Sequence, residues 1–270
     1  MNKKFGTITK ATFASIILGV AAAAHAGPIL YIDDTAGNLG TVDVETGEVR
    51  HIGFTGRSLV DIAFNPNGDL YGITFSQLFK LNKTTGAATL VGNMGASLNS
   101  LVFGKDGALY GASNGLYRID VMTGAATAVS SGNTGYDYSS SGDLAFIGSD
   151  LFLSSTPGDS LVQIDTTTGV GRLVGNIGYT GVYGLASDNN VNLYGVTGTT
   201  VIKIDPFTGA SIALVNYGGQ GLYGANGTAF IAEAAVQEPE DPTDVPEPTT
   251  ALLLGLGSFG VYMSRRRSKK

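Results

Sequence analysis

A corner that returns about every forty residues constrains this chain more than any other feature. Thr-Gly pairs stand at Gly47, Gly86, Gly124, Gly169 and Gly209, at intervals of 39, 38, 45 and 40 residues. Four positions before each glycine is Asp43, Asn82, Asp120, Asp165 or Asp205. Such a period marks a repeat architecture, in which no unit can bury its apolar surface alone. The local chemistry is that of a hairpin turn. An Asp or Asn side chain accepts from a backbone N–H two residues on, and the glycine takes the positive φ that sends the chain back. A calcium loop is the competing reading, but it needs several carboxylates per corner. Most of these corners have one.

The segments between the corners repeat as well. One set reads Leu70-Tyr71-Gly72, Leu109-Tyr110-Gly111 and Leu193-Tyr194-Gly195, with weaker copies at Leu30-Tyr31 and Leu151-Phe152. A second is Ile62-Ala63-Phe64, Leu101-Val102-Phe103, Leu144-Ala145-Phe146 and Leu185-Ala186-Ser187; a third includes Leu90-Val91-Gly92 and Leu173-Val174-Gly175. Apolar and polar residues alternate with the strand period, and no helical stripe runs between residues 27 and 232. With 40 glycines and only 14% charged residues, the composition suits short strands and tight turns. Four short antiparallel strands every forty residues make the blade of a β-propeller, an all-β fold.

Five corners imply five blades. The chain enters at the Leu30-Tyr31 strand, so the first blade lacks its innermost strand, and Gln220 to Ala225 is expected to supply it. Thr228 to Ala232 then reads as a surplus strand, which keeps a six-bladed or incompletely closed ring open. The body is similar to the broad class of propellers with NHL-type and quinoprotein-like repeats, a likeness that implies a fold and no activity. The tyrosines of the Leu-Tyr-Gly strands recur at one strand position, which points to packing between blades.

The two ends are different. Residues 1–26 read as a signal peptide: Lys3, Lys4 and Lys10, an apolar helical run, then Ala24-His25-Ala26 as the cleavage site. Signal peptidase and the secretion machinery follow as partners. Residues 233–244 form an acidic, Pro-bearing linker. Residues 245–270 begin with Val245-Pro246-Glu247-Pro248, continue in an apolar run from Thr249 to Ser264 and end in Arg265, Arg266, Arg267, Ser268, Lys269 and Lys270. As a helix the run spans about 24 Å, short for a membrane core of about 30 Å but workable if the arginines reach outward. The basic cluster should stay cytoplasmic. This order of motif, transmembrane helix and basic end resembles the PEP-CTERM sorting domain of Gram-negative bacteria. The resemblance implies processing by an exosortase. It also implies an exported protein of the cell envelope, cell surface or biofilm matrix, anchored in the inner membrane for a time.

Charge and residue inventory narrow the chemistry. Residues 27–244 hold 8 basic and 21 acidic residues, a net of −13. That argues against nucleic acid as a partner. The chain has no Cys and only His25 and His51, which removes thiolate chemistry and multi-histidine metal sites. No catalytic residue, metal ligand set or cofactor motif stands out. Asp33-Asp34, Asp159 and Asp188-Asn189-Asn190 are the oxygen-rich candidates for calcium, read more simply as solvated loops. Ser130 to Asp143 lengthens one repeat, and Tyr136, Asp137 and Tyr138 within it form a candidate ligand loop. The preferred reading is a non-enzymatic binding or structural module for exopolysaccharide or a surface protein. The alternative is a divalent-cation-dependent propeller hydrolase or lactonase, weakened by a body with glutamates only at Glu45, Glu48 and, just beyond the repeats, Glu233, Glu238 and Glu240.

Overall fold

The computed structural model describes residues 27–129, 135–156, 158–188 and 191–234. The signal segment and the sorting tail lie outside these residues. Among the described residues there are twenty strands and no helix. The first sheet holds β1 (Ile29–Asp34), β2 (Asn38–Asp43) and β3 (Val49–Phe54). The second holds β4 (Asp61–Phe64), β5 (Leu70–Ile73), β6 (Gln77–Leu81) and β7 (Ala88–Asn93). The third holds β8 (Ser100–Phe103), β9 (Leu109–Ala112), β10 (Leu116–Ile119) and β11 (Ala126–Ala128). The fourth runs β12 (Ser140–Ile147), β13 (Asp150–Ser155), β14 (Ser160–Ile164) and β15 (Gly171–Asn176). The fifth runs β16 (Val182–Asp188), β17 (Asn192–Thr197), β18 (Thr200–Ile204) and β19 (Ser211–Asn216).

The last strand, β20 (Ala225–Ala229), pairs antiparallel with β1 from Tyr31↔Ala229 to Asp34↔Ala225 and completes the first sheet. The ring is a five-bladed propeller closed by its own end. The closing strand is therefore not Gln220 to Ala225. Gly221 in that stretch sits at φ 98°, and Gly219 just before it at φ 81°, which an extended strand cannot accommodate. Thr228-Ala229-Phe230 is the inner-strand triad of the first blade, so no strand is left over and the six-bladed and open-ring alternatives fall away.

Each corner is built as its sequence requires. The Asp120 carboxylate accepts from the backbone N–H groups of Met122 and Thr123 at 2.8 and 3.1 Å, and Gly124 turns at φ 78°. The same pair of bonds recurs at Asp43, Asn82, Asp165 and Asp205. These bonds hold the Asp120 and Asp165 carboxylates below their ordinary pKa.

The apolar interior is divided among the five seams between neighbouring blades, one hydrophobic cluster to each. Tyrosines of the second strands meet phenylalanines of the next blade's inner strand: Tyr31 with Phe64, Tyr71 with Phe103, Tyr110 with Phe146 and Tyr194 with Phe230, at centroid distances of 4.9, 5.3, 5.8 and 5.3 Å. The recurring tyrosine is thus a seam residue. At the periphery the outer-strand glycines Gly53, Gly92 and Gly175 lie against the carbonyls of Thr85, Thr123 and Thr208 in the next blade's corner. A methyl group at any of the three would overlap that carbonyl.

Two alanine substitutions separate this seam contact from ordinary glycine effects. Gly92→Ala should cost about 2–4 kcal/mol, because corner and strand must part. Gly115→Ala has no neighbouring atom within 4 Å of the added methyl and should stay within about 0.5 kcal/mol of the parent. Urea denaturation of the two variants measures the difference.

Candidate functional site

Chain direction sorts the loops onto two faces. The β4–β5 turn and the Asx corners lie at one end of the blades, here termed the corner face. The β5–β6 turn and the crossovers to the next blade lie at the other, the mouth face. β1 starts, and β20 finishes, on the corner face. Gly27 donates to the Asp43 carboxylate there at 2.9 Å. Both ends of the described body therefore leave from the same face.

The inner strands converge on the axis with their first residues toward the mouth. One position before the apolar triads are Asp61, Ser100, Asp143, Gly184 and Gly227; one further back are Val60, Asn99, Gly142, Tyr183 and Asn226. The second set, joined by Phe75 and Ser141, lines a small cup of about 160 Å3 at the mouth. Asn99 and Asn226 each donate at 3.0 Å to a carbonyl of the following blade, Ser140 and Leu59 respectively. Ser141 does the same to Val182 at 2.9 Å. Phe75 and Tyr183 remain 58% and 46% exposed on the rim.

Directly beneath lies a buried acid pair. Asp61 accepts from Ile62 in its own blade and from Leu101 in the next. Asp143 accepts from Leu144 and from Leu185 of the next blade at 2.7 and 2.8 Å. Across the axis the backbone N–H and hydroxyl of Thr228 also donate to Asp143, at 3.1 and 3.0 Å. Burial pushes Asp61 well up, as do the charge of Asp143 and a hydrogen bond between the two carboxyls. Burial also pushes Asp143 up, against the bonds it accepts. The pair stitches blades to one another through the N–H groups it accepts from.

The chain beyond β20 closes the other end of the axis. Glu233 and Ala234, assigned to the linker in the sequence reading, are buried, so the packed body reaches at least Ala234. Glu233 accepts from the Phe146 N–H at 3.3 Å, and burial followed by the Asp143 charge raises its carboxyl well above the ordinary value. At this seam Ser187 stands where other inner strands have Phe, and its hydroxyl donates to the Phe146 carbonyl at 2.6 Å. The smaller residue leaves space for the Glu233 side chain.

The residues singled out from sequence scatter. Tyr138 is buried at a seam with its hydroxyl donated to the Gly169 carbonyl at 2.9 Å; Tyr136 packs partly against the same cluster, and Asp137 is exposed. Asp34 is occupied by Ala36, Asn38 and Tyr223 at the mouth face. Asp188, on the corner face, accepts from Asn192 and Tyr194. The oxygen-rich candidates are thus not brought together, and no three acidic or histidine residues form a metal-ligand group among the described residues. His51 is an exposed strand residue beside Gln220 and Gly221. Asp33 is buried; burial first and Asp34 second push it well up. Val245, Pro246, Glu247, Pro248, Arg265, Arg266 and Arg267 lie outside the described residues, as do Ala24 and Ala26. The axial residues Asp61, Asp143, Asn99 and Asn226 escaped the sequence reading. The aligned inner-strand triads carried the signal, one and two positions upstream of the apolar residues.

Residues 244–267 match the PEP-CTERM protein-sorting motif. No curated protein matches the chain. Among solved structures, a structural genomics protein of unknown function from Bacteroides thetaiotaomicron is 14% identical with a TM-score of 0.53, over 80% of this chain and 67% of that one. A chain of a nidogen–laminin complex is 11% identical with a TM-score of 0.52, over 78% of this chain and all of that one (100%). A gluconolactonase from Xanthomonas campestris is 18% identical with a TM-score of 0.47, over 72% and 77%. The likeness to the first two speaks to fold alone.

The axial acids make stability depend on pH in a direction opposite to the corners. With folded pKa values raised above 3.8 for Asp61 and Asp143, the ring holds protons that the unfolded chain has released. Their contribution is full below that value and is lost as pH rises through the raised values. The lowered Asp120 and Asp165 contribute above 3.8 and lose that contribution as pH falls. The melting temperature should therefore fall as pH rises above the ordinary carboxylate range, and Asp61→Asn should shrink that fall. Calorimetry across the range gives the slope whatever the absolute stability of the variant.

Proposed function

We propose that this chain is an exported envelope protein whose ring acts as a non-enzymatic binding module, displayed by a C-terminal segment that an exosortase processes. The sorting motif supports export and exosortase processing; the signal-type residues 1–26 and the membrane-length tail agree with it. The observation that carries the binding half is geometric. Both ends of the ring leave from the corner face, so the face with the axial cup is turned away from any anchor at the C-terminus. Exopolysaccharide or another surface protein is the class of partner such a face meets outside the cell.

The converging axial acids give the hydrolase alternative its one foothold. Against it, Asp61 and Asp143 already bond to backbone N–H groups and to each other, and Glu233 enters from the opposite end of the axis. A metal there would have to displace bonds that hold adjacent blades together.

Deleting residues 245–270 should move the protein from the envelope to the soluble periplasmic or extracellular fraction, with the melting temperature unchanged within about 2 °C. Cell fractionation and intact mass of the native protein check this, and retention of the truncated chain in the envelope would count against it. Chelator treatment should leave the melting temperature of the purified protein where it was. A chelator-sensitive transition together with lactone hydrolysis would favour the enzyme.

A further inference from the structure

We infer that the cup at the mouth seats one neutral sugar ring, so that a glycan is recognised by its end rather than along its length. This rests on the binding-module reading above and assigns it a site and a ligand class.

Shape is the first argument. All five blades contribute a residue to the rim, and the acid pair and the chain around Glu233 close the axis below. The result is a pit of about 160 Å3, on the scale of a single pyranose. A polymer cannot pass through it, whereas a terminal ring can enter from above.

Chemistry is the second. Ligand sites combine apolar surface with a few fixed polar groups. Phe75 and Tyr183 present ring surface, suited to the C–H face of a sugar. Asn99 and Asn226 are anchored through their amide nitrogens, which orients each carboxamide and leaves its oxygen for a ligand hydroxyl. No lining residue is charged. The body around it is acidic, so a uronate or phosphate ester would enter against the field while a neutral sugar would not.

The test is saturation-transfer NMR on the full chain in a zwitterionic detergent without a sugar headgroup. The probes are the methyl glycosides of glucose, galactose, mannose and N-acetylglucosamine, their linear tetrasaccharides, glucuronic acid and tri-alanine. At least one neutral glycoside should receive saturation on its C–H protons, and in its tetrasaccharide the terminal ring should receive most. Phe75→Ala and Tyr183→Ala should each weaken binding about tenfold, with the melting temperature retained because both side chains lie on the exposed rim. No transfer to any neutral glycoside, stronger transfer to glucuronate or tri-alanine, uniform transfer along the tetrasaccharide, or full binding by both variants would overturn the inference. Failure here in a protein that still fractionates with the envelope removes the sugar cup alone. Sugar binding by a protein that is not exported would remove the display reading instead.

Discussion

Everything in this ring depends on seams. A four-stranded blade has two apolar faces and no partner within itself, so each face must be covered by a neighbour. Here the covering is specific at both ends of the radius. Near the axis, a tyrosine of one blade meets a phenylalanine of the next. At the rim of three of the five seams, an outer-strand glycine admits a threonine carbonyl from the next corner. Between these contacts the strands bury Leu, Ile and Val as in any sheet sandwich. The fifth seam follows a different plan, with Phe152 and Ser187 where the others have a Tyr–Phe pair. That is the seam into which the Glu233 side chain folds, while Ala234 packs in the cluster between the second and third blades.

Because burial is spread over the seams, the axis does not have to be greasy. Asp61 and Asp143 occupy positions where an apolar side chain would fill the centre, and they bridge blades through backbone N–H groups instead. Such a pair is stabilising only while its oxygens remain satisfied and its charge is limited to one. Thr228 from the closing strand donates to the same carboxylate, so ring closure and the axial network are linked. The cup above inherits its floor from this arrangement, and its neutral rim from the residues one step closer to solvent.

Much of this was legible in the sequence because it is local. An Asx corner needs only five consecutive residues, and the strand alternation needs about as many, so the period and the blade type follow from counting; five corners pointed to five blades, and the pairing of β20 with β1 removed the six-bladed and open-ring alternatives. The tyrosine pattern was readable too, since a residue that recurs at one strand position in every unit has a structural task. What was hidden is what joins distant parts of the chain. The register of β20 is set by β1 at the other end of the body, and the glycines of the loop before it matter only once that loop is seen to turn. Ser187 and Glu233 make sense as a pair, small residue and incoming acid, and neither announces the other. Asp61 and Asp143 sat beside triads that were read for their apolar half.

The placement of β20 has a consequence for timing. In a chain threaded outward from its beginning, the strand that the first blade waits for emerges last. Until then that blade is an open template with unpaired N–H and C=O groups along β1. Fifteen positions separate Ala234, the last packed residue described, from the start of the apolar run at Thr249, at most about 50 Å of extended chain. On the export reading, the propeller can lock while the hydrophobic tail is still inside the bilayer. Insertion of the last blade edge then becomes the event that tells a finished molecule from an unfinished one, just before the cutting enzyme has its turn.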